Sequence, residues 1–489
     1  MKDISSNIKK VLVVYLFLMV ALISYIAYFQ IFKAPKIAEM QGNKRLWAER
    51  NEVLRGTIYD RNKNALTKSS RKDALTQNRE YLYGDIYANI LGYVNPSYGI
   101  TGLEDTYDNE LRKCNNEPLK DLIKSFNLKE SFKDRTKKDK IGNGIVTTLD
   151  TNLQKAAFDA LGNNKGSIVA LNPKTGEILA MVSKPSYNPN DLQQVMQKAN
   201  AGELKGDPLM NRAISGLYPP GSTFKVVTLA SALENIPGIA NRTFHDNGRL
   251  VFNSRDSLRN LDGKVFGDIS LKTALAYSSN VVFGGLALEL GNEKLKSTAE
   301  KFGFDTGVPS EGIKIKTSKF PTLKSYEKGS IAQSGIGQSS VVATPMEMAL
   351  IAGTVANKGI MMEPKIVNEI LDKNGALVKK VPDKSVKTVI PSNIASTINE
   401  YMSYLIEERV PRDPSWKTAF GGLNAAGKTG TADYNLANGQ SATPHSWFIG
   451  FAPANNPKVA VAVLVENGGA GGGIAAQLAG KVMRAATAH

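Results

Sequence analysis

Residues 11–29, "VLVVYLFLMVALISYIAYF", run for nineteen positions without a charged side chain. At about 1.5 Å per residue this is a helix of roughly 28 Å, close to the hydrocarbon thickness of a bilayer. Lys2, Lys9 and Lys10 precede it with Asp3 as the sole opposing charge, which holds the short N-terminal tail in the cytoplasm. Tyr25, Tyr28 and Phe29 fall where an interfacial aromatic belt belongs. The chain continues Gln30-Ile31-Phe32-Lys33, with no small-residue cleavage site, so the segment reads as a retained anchor rather than a signal peptide. The expectation is a cytoplasmic tail (1–10), one transmembrane helix (11–32), and everything from residue 33 onward outside the cytoplasm, where ATP chemistry is excluded.

The 489 residues, 42% apolar, suffice for one large domain and a smaller one. Cys114 is the single cysteine, so no disulfide framework or thiolate metal site can form. His245, His445 and His489 are too far apart for zinc-ligand spacing. No metal and no cofactor is expected. The net charge of +16 comes without any nucleic-acid-binding motif. Its densest stretch, residues 112–140, holds ten Lys/Arg against five Asp/Glu. The excess therefore reads as a solvated surface facing anionic lipid or wall polymer, with no nucleic-acid partner.

Residues 33–142 are polar, lysine-rich and irregular, with short strand-like pieces such as 55–67, which turns at Asn62-Lys63-Asn64. Beyond them, residues 145–149 predict a strand leading through Asp150 or Thr151 as N-cap into a helix. "GSIVALNPKTGEILAMVSKP" (166–185) predicts a hairpin of strands 168–171 and 178–182. Residues 222–290 read as helical, with a polar inset at Ser278-Ser279-Asn280. "SWFIGFAP" and "KVAVAVLVEN" predict neighbouring antiparallel strands, followed by a flexible glycine-rich turn (468–473) and a last helix over 474–487. Strands at both ends with helices between them imply an α+β domain over 143–489, with one sheet built from N- and C-terminal pieces.

In "YPPGSTFKVVTLASALE" (218–234) a lysine stands three residues after a serine inside an apolar stretch. If a helix begins at Ser222, its hydroxyl sits at the positive helix end and Lys225 shares its face. Burial disfavours an ammonium, so Lys225 can act as the base that a serine nucleophile requires. Alone, a Ser-x-x-Lys pair is more often a surface lysine on a helix. Two further stretches alter that reading: Ser278 and Asn280 in "AYSSNVVF", and Lys428-Thr429-Gly430-Thr431 in "AAGKTGTADY".

The three stretches, in this order, resemble the penicillin-recognising acyl-serine transferases. "RGTIYDRN", "YGITGLEDTYDNEL", "NRAISGLYPPGSTFK" and "SGIGQSSVVATPMEMA" are similar to class B penicillin-binding proteins of the compact type, monofunctional D,D-transpeptidases of peptidoglycan. The resemblance implies a penicillin-binding/β-lactamase-like domain, an antiparallel sheet flanked by helices, on an N-terminal pedestal (33–142) of the dimerisation-like kind. It implies Ser222 as nucleophile, Lys225 as its base, Ser278 as proton relay to the leaving D-alanine, and Asn280 as holder of Lys225 and substrate. Lys428 would assist Ser278 and, with Thr429 and Thr431, bind the terminal carboxylate. Gly430 would leave room for substrate, and the N–H groups of Ser222 and Thr431 would form the oxyanion hole. The implied partners are stem peptides ending in D-Ala-D-Ala, β-lactams, the membrane, and a polytopic glycosyltransferase.

Bland readings apply elsewhere. His445 is a polar contact beside the strands and Cys114 an exposed free thiol. Arg55, Asp60, Arg61 and Glu104 brace the membrane-proximal region, and Trp447 and Phe448 are core or cleft wall. Two rival functions remain at this point: a β-lactam sensor or scaffold, disfavoured by the single span and intact motifs, and a hydrolase such as a carboxypeptidase, disfavoured by the pedestal.

Overall fold

The computed structural model describes residues 2–33, 44–73, 76–114, 140–253, 256–434 and 442–488. The densest basic stretch and His489 lie for the most part outside these. Helix α1 (Lys2–Tyr28) continues through a π-turn to Lys33. Its most apolar 18-residue stretch, within Asn7–Lys33, has a mean hydropathy of 2.5, and the helix is long and apolar enough to cross a membrane.

The central sheet joins Gly166–Leu171 (β1), Ile178–Lys184 (β2), Ala426–Ala432 (β3), His445–Ala452 (β4) and Val459–Val465 (β5) in the order β2-β1-β5-β4-β3. Every neighbouring pair is antiparallel. Strand β5, "VAVAVLV", has no polar position because both its faces are covered. Ala460, Ala462 and Leu464 belong to one apolar core, and Val461, Val463 and Val465 to a second. Around the sheet stand α2 (Thr151–Leu161), α3 (Lys225–Asn235), α4 (Asn280–Lys301), α5 (Pro345–Ala356), α6 (Ser392–Arg409) and α7 (Ile474–Thr487). Helix α5 covers one face, α2 and α7 the other, and α6 flanks edge strand β3; α3 packs on α4 and α6.

The hairpin, the pairing of β4 with β5 and the last helix stand where the sequence predicts them. Asp150 is the N-cap of α2, accepting from the N–H groups of Asn152 and Leu153. The continuous helical reading of 222–290 does not hold. Helix α3 stops at Asn235, before Ile236-Pro237-Gly238, where Gly238 has φ +73°. Two small ribbons follow: Thr243–Asp246 with Gly267–Ser270, and Arg249–Val251 with Ser257–Arg259. The predicted single sheet is also incomplete. A second one orders Leu377–Lys380, Val367–Leu371, Gly144–Thr147 and Ile58–Tyr59.

In that second sheet Ile58 and Tyr59 pair in parallel with Ile145 and Val146, so a strand of the N-terminal region enters a sheet of the C-terminal one. Asp60 organises the Asn62–Asn64 turn by accepting from both backbone N–H groups, and accepts the Thr151 hydroxyl at 2.6 Å. Arg55 is buried against Glu104 and Asp108, both at 2.5 Å, with Arg79 on the other Glu104 oxygen at 2.7 Å. Arg61 reaches Glu177 at 3.5 Å.

Glu347, in the first turn of α5, is buried, and its Oε1 has no hydrogen-bond partner among the described residues. Burial pushes its carboxyl up to about 8. Unfolded, the same group ionises near its ordinary 4.5. The folded state thus holds the extra proton between these values, and stability falls as pH rises through them, by up to about 1.4 kcal/mol per pH unit. Glu347→Gln is expected to flatten the decline in melting temperature between pH 5 and pH 8 and to raise stability at the upper end.

Candidate active site

Ser222 lies in a 3-10 turn, Gly221–Phe224, and Lys225 opens α3. The sequence places the helix start at Ser222; the tighter turn, with three residues per revolution, puts the two side chains on one side more directly. The turn is clamped on several sides. Trp447 Nε1 donates to Pro219 O at 3.0 Å, Gly221 N to Gly337 O at 2.9 Å, and Tyr218 and Ala343 exchange backbone bonds at 3.0 and 2.8 Å. The "SGIG" stretch quoted above for its resemblance therefore buttresses the turn. Gly221 has φ +54°, and a Cβ there would lie 2.3 Å from Thr431 O. A Cβ on Gly430 would meet Pro220 O at 2.8 Å and Thr223 Cγ2 at 2.9 Å. The serine turn itself thus demands a glycine at 430, a reason additional to room for substrate.

Lys225 and Lys428 are both fully buried. Lys225 Nζ donates to Ser278 O and Asn280 Oδ1, each at 2.7 Å, and lies 3.2 Å from Ser278 Oγ. Lys428 Nζ donates to the same Ser278 Oγ at 2.9 Å and to Thr429 O at 2.8 Å. Burial holds the Lys225 ammonium well below its ordinary value, partly countered by Asp246. Burial, then the charges of Lys225 and Arg409, do the same to Lys428. Ser278 has φ +59°, a left-handed conformation that costs a serine on the order of 1 kcal/mol. It presents carbonyl and hydroxyl together to the two amines. Among the described residues no hydrogen bond joins Ser222 Oγ to Lys225 Nζ; unliganded catalytic contacts commonly tighten only with substrate.

Sequence reasoning missed the support beneath this triad. Asp246 is fully buried and accepts from Ser279 Oγ at 2.5 Å, Gly248 N at 2.8 Å and Asn260 Nδ2. Asn260 Oδ1 in turn accepts from the N–H groups of Asn280 and Val281 at 2.8 and 3.1 Å. Asn280 Nδ2 donates to Arg259 O at 2.8 Å, which turns its Oδ1 toward Lys225. Neither residue carried a signal in the sequence, since both fall inside the stretch 222–290 read as helical. They come from ribbons that the helical reading did not anticipate.

Ser222, Ser278, Asn280, Thr429 and Thr431 line one cleft of about 670 Å³. Strand alternation separates the third stretch: Lys428 turns to Ser278, whereas Thr431 Oγ1 accepts from Gly471 N at 2.9 Å. The glycines of 468–473 are not merely a loose turn. A Cβ at Gly471 would lie 2.0 Å from Gly430 O, so this loop packs backbone to backbone on β3. His445 is buried on β4, accepting from Asn467 N at 3.2 Å and stacked on Tyr434. Trp447 and Phe448 are core. Cys114, expected to be exposed, is a half-covered free thiol donating to Ile141 O.

A family model described as the penicillin binding protein transpeptidase domain matches residues 166–484, and one described as the penicillin binding protein A dimerisation domain matches residues 55–130. The chain belongs to the penicillin-binding protein transpeptidase family. It is 34% identical to peptidoglycan D,D-transpeptidase PbpA of Mycolicibacterium smegmatis, over 99% of each chain. It is 31% identical to the enzyme MrdA of Acinetobacter baumannii, also named a peptidoglycan D,D-transpeptidase, over 82% of this chain and 65% of that one. The ceftriaxone acyl-enzyme structure of penicillin-binding protein A from M. tuberculosis superposes with a TM-score of 0.80 at 31% identity, covering 90% of this chain and 100% of that one. The D,D-transpeptidase domain of a peptidoglycan glycosyltransferase from Eggerthella lenta gives 0.76 at 30% identity, over 89% and 98%.

Removing the carboxylate under the second stretch should loosen it. Asp246→Ala strands Ser279 and Asn260 without their acceptor and is expected to cost about 2–4 kcal/mol, read as a lower midpoint in urea at unchanged slope.

Proposed function

We propose that this chain is a peptidoglycan D,D-transpeptidase that cross-links stem peptides through an ester on Ser222 and is acylated there by β-lactams. The observation that carries the reading is the convergence of two buried amines, Lys225 and Lys428, on the Ser278 hydroxyl, in the cleft that Ser222 lines.

Neutral Lys225 takes the Ser222 proton as Oγ attacks the penultimate D-alanine carbonyl. The N–H groups of Ser222 and Thr431 receive the oxyanion, each such donor contributing about 10²–10³ in rate. Breakdown of the tetrahedral species breaks the C–N bond. The leaving nitrogen takes the Ser278 hydroxyl proton, which Lys225 replaces across their 3.2 Å contact while Lys428 holds the oxygen. Asn280 keeps Lys225 directed and pairs with the substrate backbone. An amine from a neighbouring stem peptide then attacks the ester, and the same relay runs in reverse to free Ser222. No metal or cofactor is required at any step. The N-terminal tail lies in the cytoplasm and the cleft outside it, on a single-pass anchor, and residues 33–142 form the pedestal.

Fluorescent penicillin should give one stable adduct on the wild-type protein, located on Ser222 by mass spectrometry and absent in Ser222→Ala; a label elsewhere refutes the assignment. Lys225→Met should slow acylation by about 10²–10⁴. It should also keep or raise stability at pH 7, because folding no longer has to strip a proton from a lysine that is charged when unfolded. Acylation by the wild type should fall as pH drops through the lowered Lys225 value, well below 10.5.

The chain is further proposed to dock a polytopic membrane glycosyltransferase through its pedestal. Exchanging residues 33–110 should weaken co-purification with that enzyme, and undiminished recovery counts against the docking.

A further inference from the structure

Arg409, the last residue of α6, lines the cleft, and the charge of Asp413 acts on its guanidinium from a distance. No carboxylate among the described residues lies within ion-pair distance of its guanidinium. Asp413, which lines the same cleft, is engaged by the backbone N–H and hydroxyl of Ser415 at 2.8 and 2.7 Å. The guanidinium is seated over the Trp416 ring at 5.2 Å, and Trp416 Nε1 donates to Gly472 O at 2.8 Å. A Cβ on Gly472 would come within 2.6 Å of Arg409 Nη1, so the glycine loop admits the side chain. The same loop donates to the Thr431 hydroxyl through Gly471 N. Arg409 is thereby fixed beside the face of β3 that carries Thr429 and Thr431, whereas Lys428 turns its amine to Ser278.

Two hydroxyls cannot by themselves balance an anion in a narrow cleft, and a planar, permanently charged fork suits a carboxylate better than an amine does. Burial and the charges of Lys225 and Arg409 disfavour an ammonium on Lys428, which already donates to two oxygens. We propose that Arg409 is a specificity-determining residue, supplying the fixed positive charge that receives the free C-terminal carboxylate of the donor peptide alongside Thr429 and Thr431. This rests on the transpeptidase reading above and assigns the source of charge at its carboxylate end.

The test compares a D-alanyl thioester peptide ending in a free carboxylate with the same compound ending in a methylamide, each acylating the full-length membrane-extracted chain. In Arg409→Gln the acid-to-amide ratio of second-order acylation rates should fall at least tenfold, with an intermediate fall in Arg409→Lys, which keeps charge but not the fork. An unchanged ratio, or equal losses on both compounds, overturns the assignment. If Arg409→Gln does not fold, the Lys variant decides by the same ratio. Label retained in Ser222→Ala would instead fault the nucleophile reading, so the two failures are distinguishable.

Discussion

Two buried lysine amines share one serine hydroxyl at the wall of the cleft, and the architecture of the cleft answers to that crowding. Lys225 and Lys428 are both fully buried, and Ser278 Oγ lies within 3.2 Å of each. Two ammoniums so placed would repel strongly at low effective dielectric. The one carboxylate that favours charge on Lys225, Asp246, is itself occupied by Ser279, Gly248 and Asn260. The site therefore disfavours the ammonium form of both lysines, and a lysine that gives up its proton more readily can act as a base.

Holding that arrangement requires rigid backbone. Ser278 is kept in a left-handed conformation at the junction before α4, and its strain is tolerated because Lys225, Asn260 and Asp246 over-determine the junction. The serine turn is indexed against β3 by glycines on both sides, since neither Gly221 nor Gly430 could carry a Cβ. Trp447, Tyr218 and Gly337 then tie the turn to the sheet and to the segment before α5. Position is secured by close approach of main chains, which a side-chain inventory does not reveal.

Much of this was legible in the sequence. The apolar run of residues 11–29, the hairpin of β1 and β2, the continuous apolar β5 and the last helix follow from periodicity and turn chemistry. That the three stretches belong together follows from their order and a family resemblance, and the structure gathers them at one cleft. What escaped was what depends on distant pairing. Asp246 ends one ribbon strand between α3 and α4 and Asn260 directly follows another, in a stretch whose alternation is too short to oppose a helical reading. Arg409 sits at the end of an ordinary amphipathic helix, and only the fold brings it to Trp416 and Gly472. Ile58 and Tyr59 fall within the strand-like piece 55–67, but their pairing with Ile145 and Val146 could not be read from it.

That short parallel pair has a mechanical corollary. Ile145 N bonds to Thr57 O, Thr147 Oγ1 to Tyr59 O, and Arg61 N to Leu149 O, so the N-terminal region and the C-terminal one are laced along a common seam. A pull on the N-terminal region would load those hydrogen bonds in concert rather than fold a hinge. A fragment cut just ahead of Gly144 would bare a raw sheet border, inviting strands from other molecules to stick.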